Sequence, residues 1–171
     1  MHPSSINIMK GFIELHMSSM RNKNISILDV GSQDVNGSYK ELFCNKNWKY
    51  VGMDISPGKN VDMVVKDIYK WDNIQDENYE VVVSGQAFEH IEYFWLTMQE
   101  IYRVLKVGGL LCIIVPSTGF EHRYPKDCWR FYSDGLRAMA TYVKLTIIEA
   151  TVTHIDKFWN DSVLVARKDI L

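Results

Sequence analysis

Short apolar runs rich in β-branched residues alternate with segments of helical periodicity along most of this chain, and this alternation limits the folds open to it. The runs are ISILDV, KYVGMDIS, VDMVVKD, YEVVVSG and LLCIIVPS, and polar residues, glycine or proline bound them. Such runs are typical of strands buried on both faces. Helices between consecutive strands indicate parallel pairing, because a parallel crossover places its helix on a face of the sheet.

Two helices are predicted around the first strand. Apolar residues have helical spacing from Ile6 to Met20, with Ser5 as a candidate N-cap, so residues 1–22 are assigned to an N-terminal helix. After the strand, Ser38 and Glu41 have the spacing of a capping box, which predicts a short helix.

The second half of the chain completes the prediction. An apolar stripe from Ile91 to Leu105 predicts a helix that stops at Gly108–Gly109 with a left-handed C-cap, and another helix begins near Ser133. The last two runs, KLTIIEATV and SVLVARK, are joined by a turn near 159–161 without a helix, which favours an antiparallel pair. The whole is predicted to be a single α/β domain over residues 1–171, with a Rossmann-like, doubly wound sheet of seven mostly parallel strands and an antiparallel C-terminal pair.

Charge and cysteine content narrow the function classes. The chain has 19 basic and 21 acidic side chains, a formal charge of -2, which argues against binding nucleic acid through phosphate neutralisation. Three scattered cysteines without a CxxC motif favour neither a disulfide framework nor a zinc site. No signal peptide and no membrane span are evident, so we expect a cytoplasmic protein without a membrane partner.

Acidic and polar residues follow the ends of successive predicted strands. These residues are Asp29, Asp54, Asp67 and Ser84. In a doubly wound sheet ligands bind beyond the carboxyl ends of the strands, and Asp54 lies where a carboxylate reaches ribose hydroxyls in nucleotide-binding folds. We therefore expect a nucleoside site at this edge.

The turn after the first strand indicates which nucleoside. It runs from Gly31 to Gly37 as GSQDVNG, so the third glycine of a dinucleotide turn is missing and Asp34 is added. A carboxylate there would repel a pyrophosphate, whereas several carboxylates suit an adenosyl ligand with a cationic or zwitterionic tail. Asp34 itself is interpreted as a turn residue that bonds its own backbone.

Five segments together resemble a known family. ILDVGSQDVNGSY, YVGMDIS, VVKDIYKW, YEVVVSGQAFEHI and LKVGGLLCIIVPS are similar to the ordered motifs of class I S-adenosylmethionine-dependent methyltransferases, over roughly Ile25 to Ser117. The stretch EHRYPKDCWRFYSDGL resembles a subgroup of small, type-11-like methyltransferases associated with sugar, cell-surface glycan or secondary-metabolite pathways.

The resemblance implies S-adenosylmethionine as cofactor and assigns residues to it. Asp29 and Gly31 match the motif that lines the methionine part, Asp54 matches the acid that binds the ribose hydroxyls, and Asp67 with Ile68 matches the adenine contacts. Where the family more often has cysteine or glycine, this chain has Ser32-Gln33-Asp34. The full set is Asp29, Gly31, Ser32, Gly37, Asp54, Ile55, Asp67, Ile68, Ser84 and Gln86.

Residues 117–132 are the expected acceptor loop. His122 is the preferred catalytic base, with Glu121 as its orienter, because an imidazole accepts a proton near neutral pH; His90 is either a second base or a packed, structural histidine. Interleaved aromatic and charged side chains can grip a sugar or a phosphorylated acceptor. The substrate set is Glu121, Arg123, Tyr124, Trp129 and Arg130. No tight cluster of metal ligands is evident, and none is required for the reaction.

The predicted function is therefore methyl transfer from S-adenosylmethionine to a small hydroxylated metabolite or a sugar or glycan precursor, as O-methylation. Few residues remain for a lid, so the acceptor pocket comes from the N-terminal helix, the 117–132 loop or a neighbouring subunit, which is compatible with a homodimer. Two alternatives stay open: a non-catalytic, methyltransferase-like subunit that binds a partner, and an NAD-dependent oxidoreductase, which the missing glycine disfavours.

Overall fold

A computed structural model describes residues 3–154 and 157–170, and within these residues seven strands form one sheet. The strands are β1 (Ile25–Val30), β2 (Trp48–Asp54), β3 (Met63–Val64), β4 (Tyr79–Gly85), β5 (Leu105–Pro116), β6 (Thr146–His154) and β7 (Asn160–Arg167). Their order is β3-β2-β1-β4-β5-β7-β6. The first five strands are parallel to one another, and β7 pairs antiparallel with both β5 and β6. The predicted fold class is confirmed.

Three α-helices flank the sheet in the described part of the chain. They are α1 (Pro3–His16), α2 (Phe94–Val104) and α3 (Ser133–Tyr142), with single 3-10 turns at Ser18–Met20, Lys40–Phe43 and Phe88–His90. None of the helices in these residues is long and apolar enough to cross a membrane.

The N-terminal helix ends earlier than predicted, and its predicted cap is wrong. The described helix starts at Pro3, whose fixed φ suits a first helical position, and it ends at His16; residues 1 and 2 lie outside the described residues. Ser5 is not an N-cap, because it lies inside the helix, where its hydroxyl bonds the Tyr39 hydroxyl at 2.5 Å.

The predicted stop of the second helix is wrong. The helix ends at Val104, and Leu105 already begins β5. Gly108 does have a positive φ of 79°, but it lies inside β5, in the stretch where the register with β4 shifts. The fully buried Leu105 continues the apolar stripe of the helix and also starts the strand, so periodicity could not separate the two.

Two shorter predictions also need correction. The Ser38–Glu41 capping box does not form: Lys40–Phe43 is a 3-10 turn, and the Ser38 hydroxyl accepts a hydrogen bond from the Lys40 N–H at 3.0 Å. The third strand is only Met63–Val64, so Asp67 lies beyond it in a turn.

Apolar cores cover both faces of the sheet. On one face α2 and α3 pack with residues such as Met98 and Leu136, and on the other α1 packs with Met9 and Phe12. Central strands are therefore buried on both sides, which explains their nearly continuous apolar runs. The carboxyl ends of the strands stay open between the two layers and can host a site.

Candidate functional site

A cleft of about 820 Å³ lies beyond the carboxyl ends of β1, β2 and β4. From β1 the chain continues to β2 and β3 on one side of the sheet and then returns to β4 on the other side of β1. The strand order therefore reverses between β1 and β4. This is the position at which open α/β sheets bind ligands. Asp29 and Asp54 line the cleft from two of these strands, and Gln86 lines it just after the third.

The glycine turn forms one wall of the cleft. Gly31 has a φ of 79°, and a β-carbon there would overlap the side chain of Ala87, so the position requires glycine. Asp34 accepts a hydrogen bond from the Gly37 N–H at 2.7 Å and pairs with Lys59 at 2.6 Å. The hydrogen bond from Lys59 lowers the pKa of Asp34. Asp34 is thus the turn residue that its sequence predicts.

Asn60, which the sequence analysis did not single out, holds this turn against β2. Its amide nitrogen carries two hydrogens and lies within hydrogen-bonding distance of three oxygens, the Ser32 carbonyl at 3.0 Å, the Ser38 hydroxyl at 2.8 Å and the Tyr50 hydroxyl at 3.0 Å. The Ser32 hydroxyl donates in return to the Asn60 carbonyl at 3.0 Å. Asn60 has a φ of 67°, a left-handed conformation that asparagine tolerates well. The sequence Gly58-Lys59-Asn60 is therefore the local pattern that indicated a turn at this position.

Asp29 lies at the floor of the cleft, with 3% of its surface exposed. The Tyr50 hydroxyl donates to its carboxyl group at 2.5 Å. Burial raises the pKa of Asp29 to about 7, although the hydrogen bond from Tyr50 opposes the rise; the charge of Asp54 adds to it. At neutral pH this carboxyl group therefore responds to whether a cation lies in the cleft.

Asp54 lies at the end of β2, where backbone donors hold its carboxylate. One oxygen accepts from the Gln33 N–H at 3.1 Å, and the other from Ile55 at 2.8 Å and Ser56 at 3.3 Å. The side chain is only partly buried, and the oxygen bonded to Gln33 keeps a second lone-pair site, whereas both sites of the other oxygen are occupied. A carboxylate held in this way can accept a further hydrogen bond from a ligand hydroxyl.

The cleft brings together eight of the ten residues predicted to bind the cofactor. They are Asp29, Gly31, Ser32, Gly37, Asp54, Ile55, Ile68 and Gln86. Asp67 and Ser84 lie outside its lining. Asp67 is exposed and accepts a hydrogen bond from the Tyr69 N–H at 2.8 Å, whereas Ser84 is fully buried and donates to the Val30 carbonyl at 2.8 Å.

Gln86 enters the cleft in an unusual backbone conformation. Its φ is 56°, a left-handed value that is uncommon outside glycine, and its side-chain amide donates to Asp161 at 3.0 Å. Such conformations persist where the surrounding structure imposes them, and they cluster at ligand sites. The residue therefore has a fixed position at the end of β4.

Glu89, His90 and His122 lie together in the lining of the same cleft. The Nε2 atoms of His90 and His122 lie 3.7 Å and 4.0 Å from one Glu89 oxygen, and the two rings meet edge to face at 5.2 Å. Glu89 is fully buried, and neither of its oxygens has a hydrogen-bond partner among the described residues. Burial raises the pKa of Glu89 to about 8. Glu89 directly precedes His90 but was not among the predicted site residues.

The predicted acceptor loop contributes only some of its assigned residues to the cleft. Arg123 and Tyr124 line it, as does Lys126, which the sequence analysis did not assign. Glu121 lies outside the lining, where it pairs with Arg123 at 2.6 Å. The partners of the His122 Nδ1 are instead the Phe120 carbonyl at 3.1 Å, the Arg130 guanidinium at 3.4 Å and Asp127 at 3.5 Å.

Trp129 and Arg130 do not line the cleft and instead stabilise the acceptor loop. The Trp129 indole donates to the Ile91 carbonyl at 3.0 Å. The Arg130 guanidinium donates to both Asp127 oxygens at 2.6 and 2.7 Å and to the Phe120 carbonyl at 2.7 Å. These bonds lower the pKa of Asp127 to about 2 and fix the loop that carries His122.

The residues of the cleft fit an adenosyl sulfonium donor. Carboxyl groups at Asp29, Asp54 and Glu89 suit a ligand with a ribose and positive charges, and the apolar side chains of Ile55 and Ile68 suit a flat base. The fold and this cleft together define the class of S-adenosylmethionine-dependent α/β methyltransferases.

The particular family follows from a sequence comparison. Residues 28–113 match the family model of a type 11 methyltransferase domain, from the second half of β1 through most of β5, and the chain belongs to this family. Family and fold together give S-adenosylmethionine as the cofactor. No curated protein sequence matches the chain.

Solved structures share the fold at low sequence identity. The 1,6-didemethyltoxoflavin-N1-methyltransferase of Burkholderia thailandensis, solved with S-adenosylhomocysteine, has 13% identity and a TM-score of 0.74, over 98% of this chain and 79% of that chain. An S-adenosylmethionine-dependent methyltransferase of Methanosarcina mazei has 16% identity and a TM-score of 0.71, over 100% and 99%. A [4+2]-cyclase has 13% identity and a TM-score of 0.75, over 97% and 82%.

Proposed function

We propose that this protein catalyses methyl transfer from S-adenosylmethionine to a hydroxyl group of a small hydroxylated metabolite or a sugar or glycan precursor. One observation carries the proposal: a single cleft is lined both by the strand-end carboxylate Asp54 and by the histidines His90 and His122. The first suits a nucleoside donor, and the second suits a group that must lose a proton. Donor and acceptor would therefore meet in one cavity.

The cofactor residues have distinct tasks in this proposal. Asp54 binds the ribose hydroxyls, Ile68 packs against the adenine, and Asp29 with the Gly31 turn faces the charged methionine end. Gln86 positions the backbone beside the same end. When bound, the cofactor supplies an electrophilic methyl carbon on a sulfonium. The protein contributes chiefly alignment and the exclusion of water, which together account for several kcal/mol of rate enhancement in such displacements.

The acceptor oxygen needs a proton acceptor near it. As the oxygen bonds to the methyl carbon, the carbon–sulfur electron pair stays on sulfur, and the hydroxyl proton passes to a base. The Nε2 atoms of His122 and His90 are available for this step, and both lie within 4.0 Å of the same Glu89 oxygen. Glu89 can stabilise the imidazolium that forms.

The mouth of the cleft favours a polar acceptor. Arg123, Tyr124 and Lys126 line it from the acceptor loop. An aromatic face beside two cations suits a sugar ring or a phosphorylated metabolite, which is bound by stacking and by charge.

The test is acceptor-dependent formation of S-adenosylhomocysteine by the purified full chain, with panels of monosaccharides, sugar phosphates and other hydroxylated metabolites. We expect a methyl ether product with at least one panel member. His122→Ala should lower kcat by about 100-fold or more, within the range for losing a general base. His154→Ala removes an exposed histidine on β6 and should leave the rate unchanged. A product methylated on nitrogen would overturn the O-methylation assignment.

A second candidate function does not involve methyl transfer. It is suggested by the similarity to the [4+2]-cyclase, whose name describes a different reaction on the same fold. For this chain the alternative is a protein that binds S-adenosylmethionine without transferring its methyl group. Saturable binding of S-adenosylmethionine, with no S-adenosylhomocysteine formed in the presence of any acceptor, would support it over the proposed enzyme.

A further inference from the structure

Three side chains with metal-binding atoms converge at the acceptor end of the cleft. Glu89, His90 and His122 each offer one ligand atom, and these atoms all lie within 4.8 Å of one another. We propose that the three residues form a binding site for a divalent transition-metal cation, which in turn binds the acceptor hydroxyl. Cation binding can be tested independently of the proposed function, whereas the role at the acceptor rests on it.

The first argument is the state of Glu89. Its side chain has no exposed surface, and neither oxygen accepts a hydrogen bond within residues 3–154 and 157–170. The backbone N–H of Glu89 itself and the charge of Arg130 favour the ionised form, but Arg130 directs its hydrogen bonds to Asp127, and nearby Asp127 and Asp161 add repulsion. A buried carboxylate in this state is costly unless a proton or a cation occupies the space before it.

The second argument is the orientation of the two imidazoles. The His90 Nδ1 lies 2.5 Å from the Lys126 carbonyl, and the His122 Nδ1 lies 3.1 Å from the Phe120 carbonyl. A carbonyl only accepts hydrogen bonds, so the neutral His90 ring carries its hydrogen on Nδ1 and a lone pair on Nε2. The His122 Nδ1 also lies 3.4 Å from an Arg130 guanidinium nitrogen, which can only donate, and the same tautomer holds for His122 when its shorter contact, to the Phe120 carbonyl, is the hydrogen bond. Both lone pairs lie on the atoms nearest Glu89. Hydrogen bonds of this kind orient metal-binding histidines in general.

The third argument is the spacing of the ligand atoms. With metal–nitrogen and metal–oxygen distances of about 2.1 Å, tetrahedral ligands lie roughly 3.4 Å apart. The two Nε2 atoms lie 3.7 Å and 4.0 Å from the Glu89 oxygen, and all three ligand atoms lie within 4.8 Å of one another, so the side chains must draw closer together to complete the geometry. Two imidazoles and a carboxylate leave an open coordination position, and imidazole selects zinc, iron, cobalt or nickel over magnesium or calcium.

The backbone already holds the two halves of the site together. Glu89 and His90 lie on the 3-10 turn Phe88–His90, and His122 lies on the acceptor loop. The Glu89 carbonyl accepts hydrogen bonds from the Cys128 N–H at 2.7 Å and the Trp129 N–H at 3.2 Å, which join that loop to the turn. The backbone therefore needs little reorganisation on binding.

The cation changes how the acceptor loses its proton. A hydroxyl bound to a divalent cation becomes more acidic, so its proton leaves to water instead of to an imidazole. The oxygen then bonds to the methyl carbon, and the carbon–sulfur electron pair stays on sulfur. Reactants and products are those of the proposed methyl transfer; only the proton acceptor differs, because both Nε2 atoms are then ligands.

The experiment titrates Co2+ and Zn2+ into full-length protein freed of metal by a chelator and dialysed. Co2+ binding is read from its visible absorption and Zn2+ binding from calorimetry, both without cofactor or acceptor. We expect saturable one-to-one binding of each ion and none of Mg2+ at the same concentration. His122→Ala and Glu89→Gln should weaken Co2+ affinity at least 10-fold, and the exposed-histidine control His154→Ala should leave it unchanged.

Each outcome decides one claim. Absent Co2+ binding, or binding that neither His122→Ala nor Glu89→Gln weakens, overturns the metal site. His122 is 42% exposed in its side chain, so its variant keeps the test valid if Glu89→Gln fails to fold. Full methyl transfer by the metal-free protein would overturn the role at the acceptor while the binding site stands. Failure of the wild type to bind S-adenosylmethionine both with and without the cation is the result that would count against the proposed function.

Discussion

At the scale of single residues, the Asp29 carboxyl group in the cleft makes the free energy of unfolding depend on pH. Burial raises its pKa from 3.8 to about 7. As the pH rises through this range the unfolded chain releases the proton first, so the unfolded state gains stability and the folded state loses it relatively. The loss is complete above the folded pKa and absent well below pH 4.

Asp29→Asn removes this titration while it keeps an oxygen for the Tyr50 hydroxyl. The quantity to compare is the free energy of unfolding of the variant minus that of the wild type, both without ligand. We expect this difference to be larger at pH 8 than at pH 3.5, by about 1 to 3 kcal/mol. Urea denaturation at several pH values measures the difference. Asp72→Asn, at a well-exposed acid, is the control and should show no such trend. A difference that stays constant with pH would contradict the prediction.

Individual site residues were predictable where a motif fixes them. Gly31 and Asp54 follow strands whose apolar runs are plain in the sequence, and both line the cleft. Glu89 and Asn60 were not predictable in the same way. Whether a carboxylate is left without donors, or an amide spans a turn, depends on which distant side chains the fold brings near it, and no local pattern records this.

At the scale of secondary-structure elements, substitutions at two glycines distinguish the cost of backbone strain from the cost of overpacking. Gly31 and Gly108 share a φ of 79°, but a β-carbon at Gly31 would overlap Ala87, whereas at Gly108 no atom lies within 4 Å. Gly108→Ala should cost about 1 to 2 kcal/mol of unfolding free energy from the left-handed conformation alone. Gly31→Ala should cost at least about 1 kcal/mol more, because overpacking is added. Equal losses in urea denaturation would show that Ala87 yields without cost.

The N-terminal helix allows a second comparison between a buried and an exposed side chain. Phe12 in α1 is 4% exposed and packs on the sheet, whereas Leu15 is 75% exposed. Phe12→Ala should lower the free energy of unfolding by about 3 to 5 kcal/mol. Leu15→Ala should change it by less than about 0.5 kcal/mol. Comparable losses in chemical denaturation would mean that α1 does not pack on the sheet as described.

Element types were predictable, whereas element boundaries were not. Runs of β-branched apolar residues such as Val81-Val82-Val83 favour buried strands. Boundaries fail where one residue satisfies two elements, as Leu105 does between α2 and β5. They also fail where a tertiary contact replaces a local cap, as the Ser5–Tyr39 bond does inside α1.

At the scale of the whole molecule, the two apolar layers and the open strand ends have different tasks. The layers account for the fold, and the cleft between them collects acids that do not pair with one another. Carboxyl groups of Asp29, Asp54 and Glu89 in one cavity repel each other when charged, so a cationic ligand relieves part of that repulsion. Ligand binding should therefore stabilise the entire folded chain.

Thermal unfolding with S-adenosylmethionine, in the absence of an acceptor, tests this coupling. At about 100 times its dissociation constant a ligand adds about 2.7 kcal/mol. For a chain of 171 residues this corresponds to a rise in Tm of about 5 to 10 °C. Asp54→Ala should abolish most of the rise at the same concentration because the ribose loses its acceptor, whereas Asp72→Ala should retain it. NAD should not reproduce the shift, since the Gly31–Gly37 turn carries Asp34. A rise with NAD alone would replace the methyl donor with a dinucleotide as the ligand of this cleft.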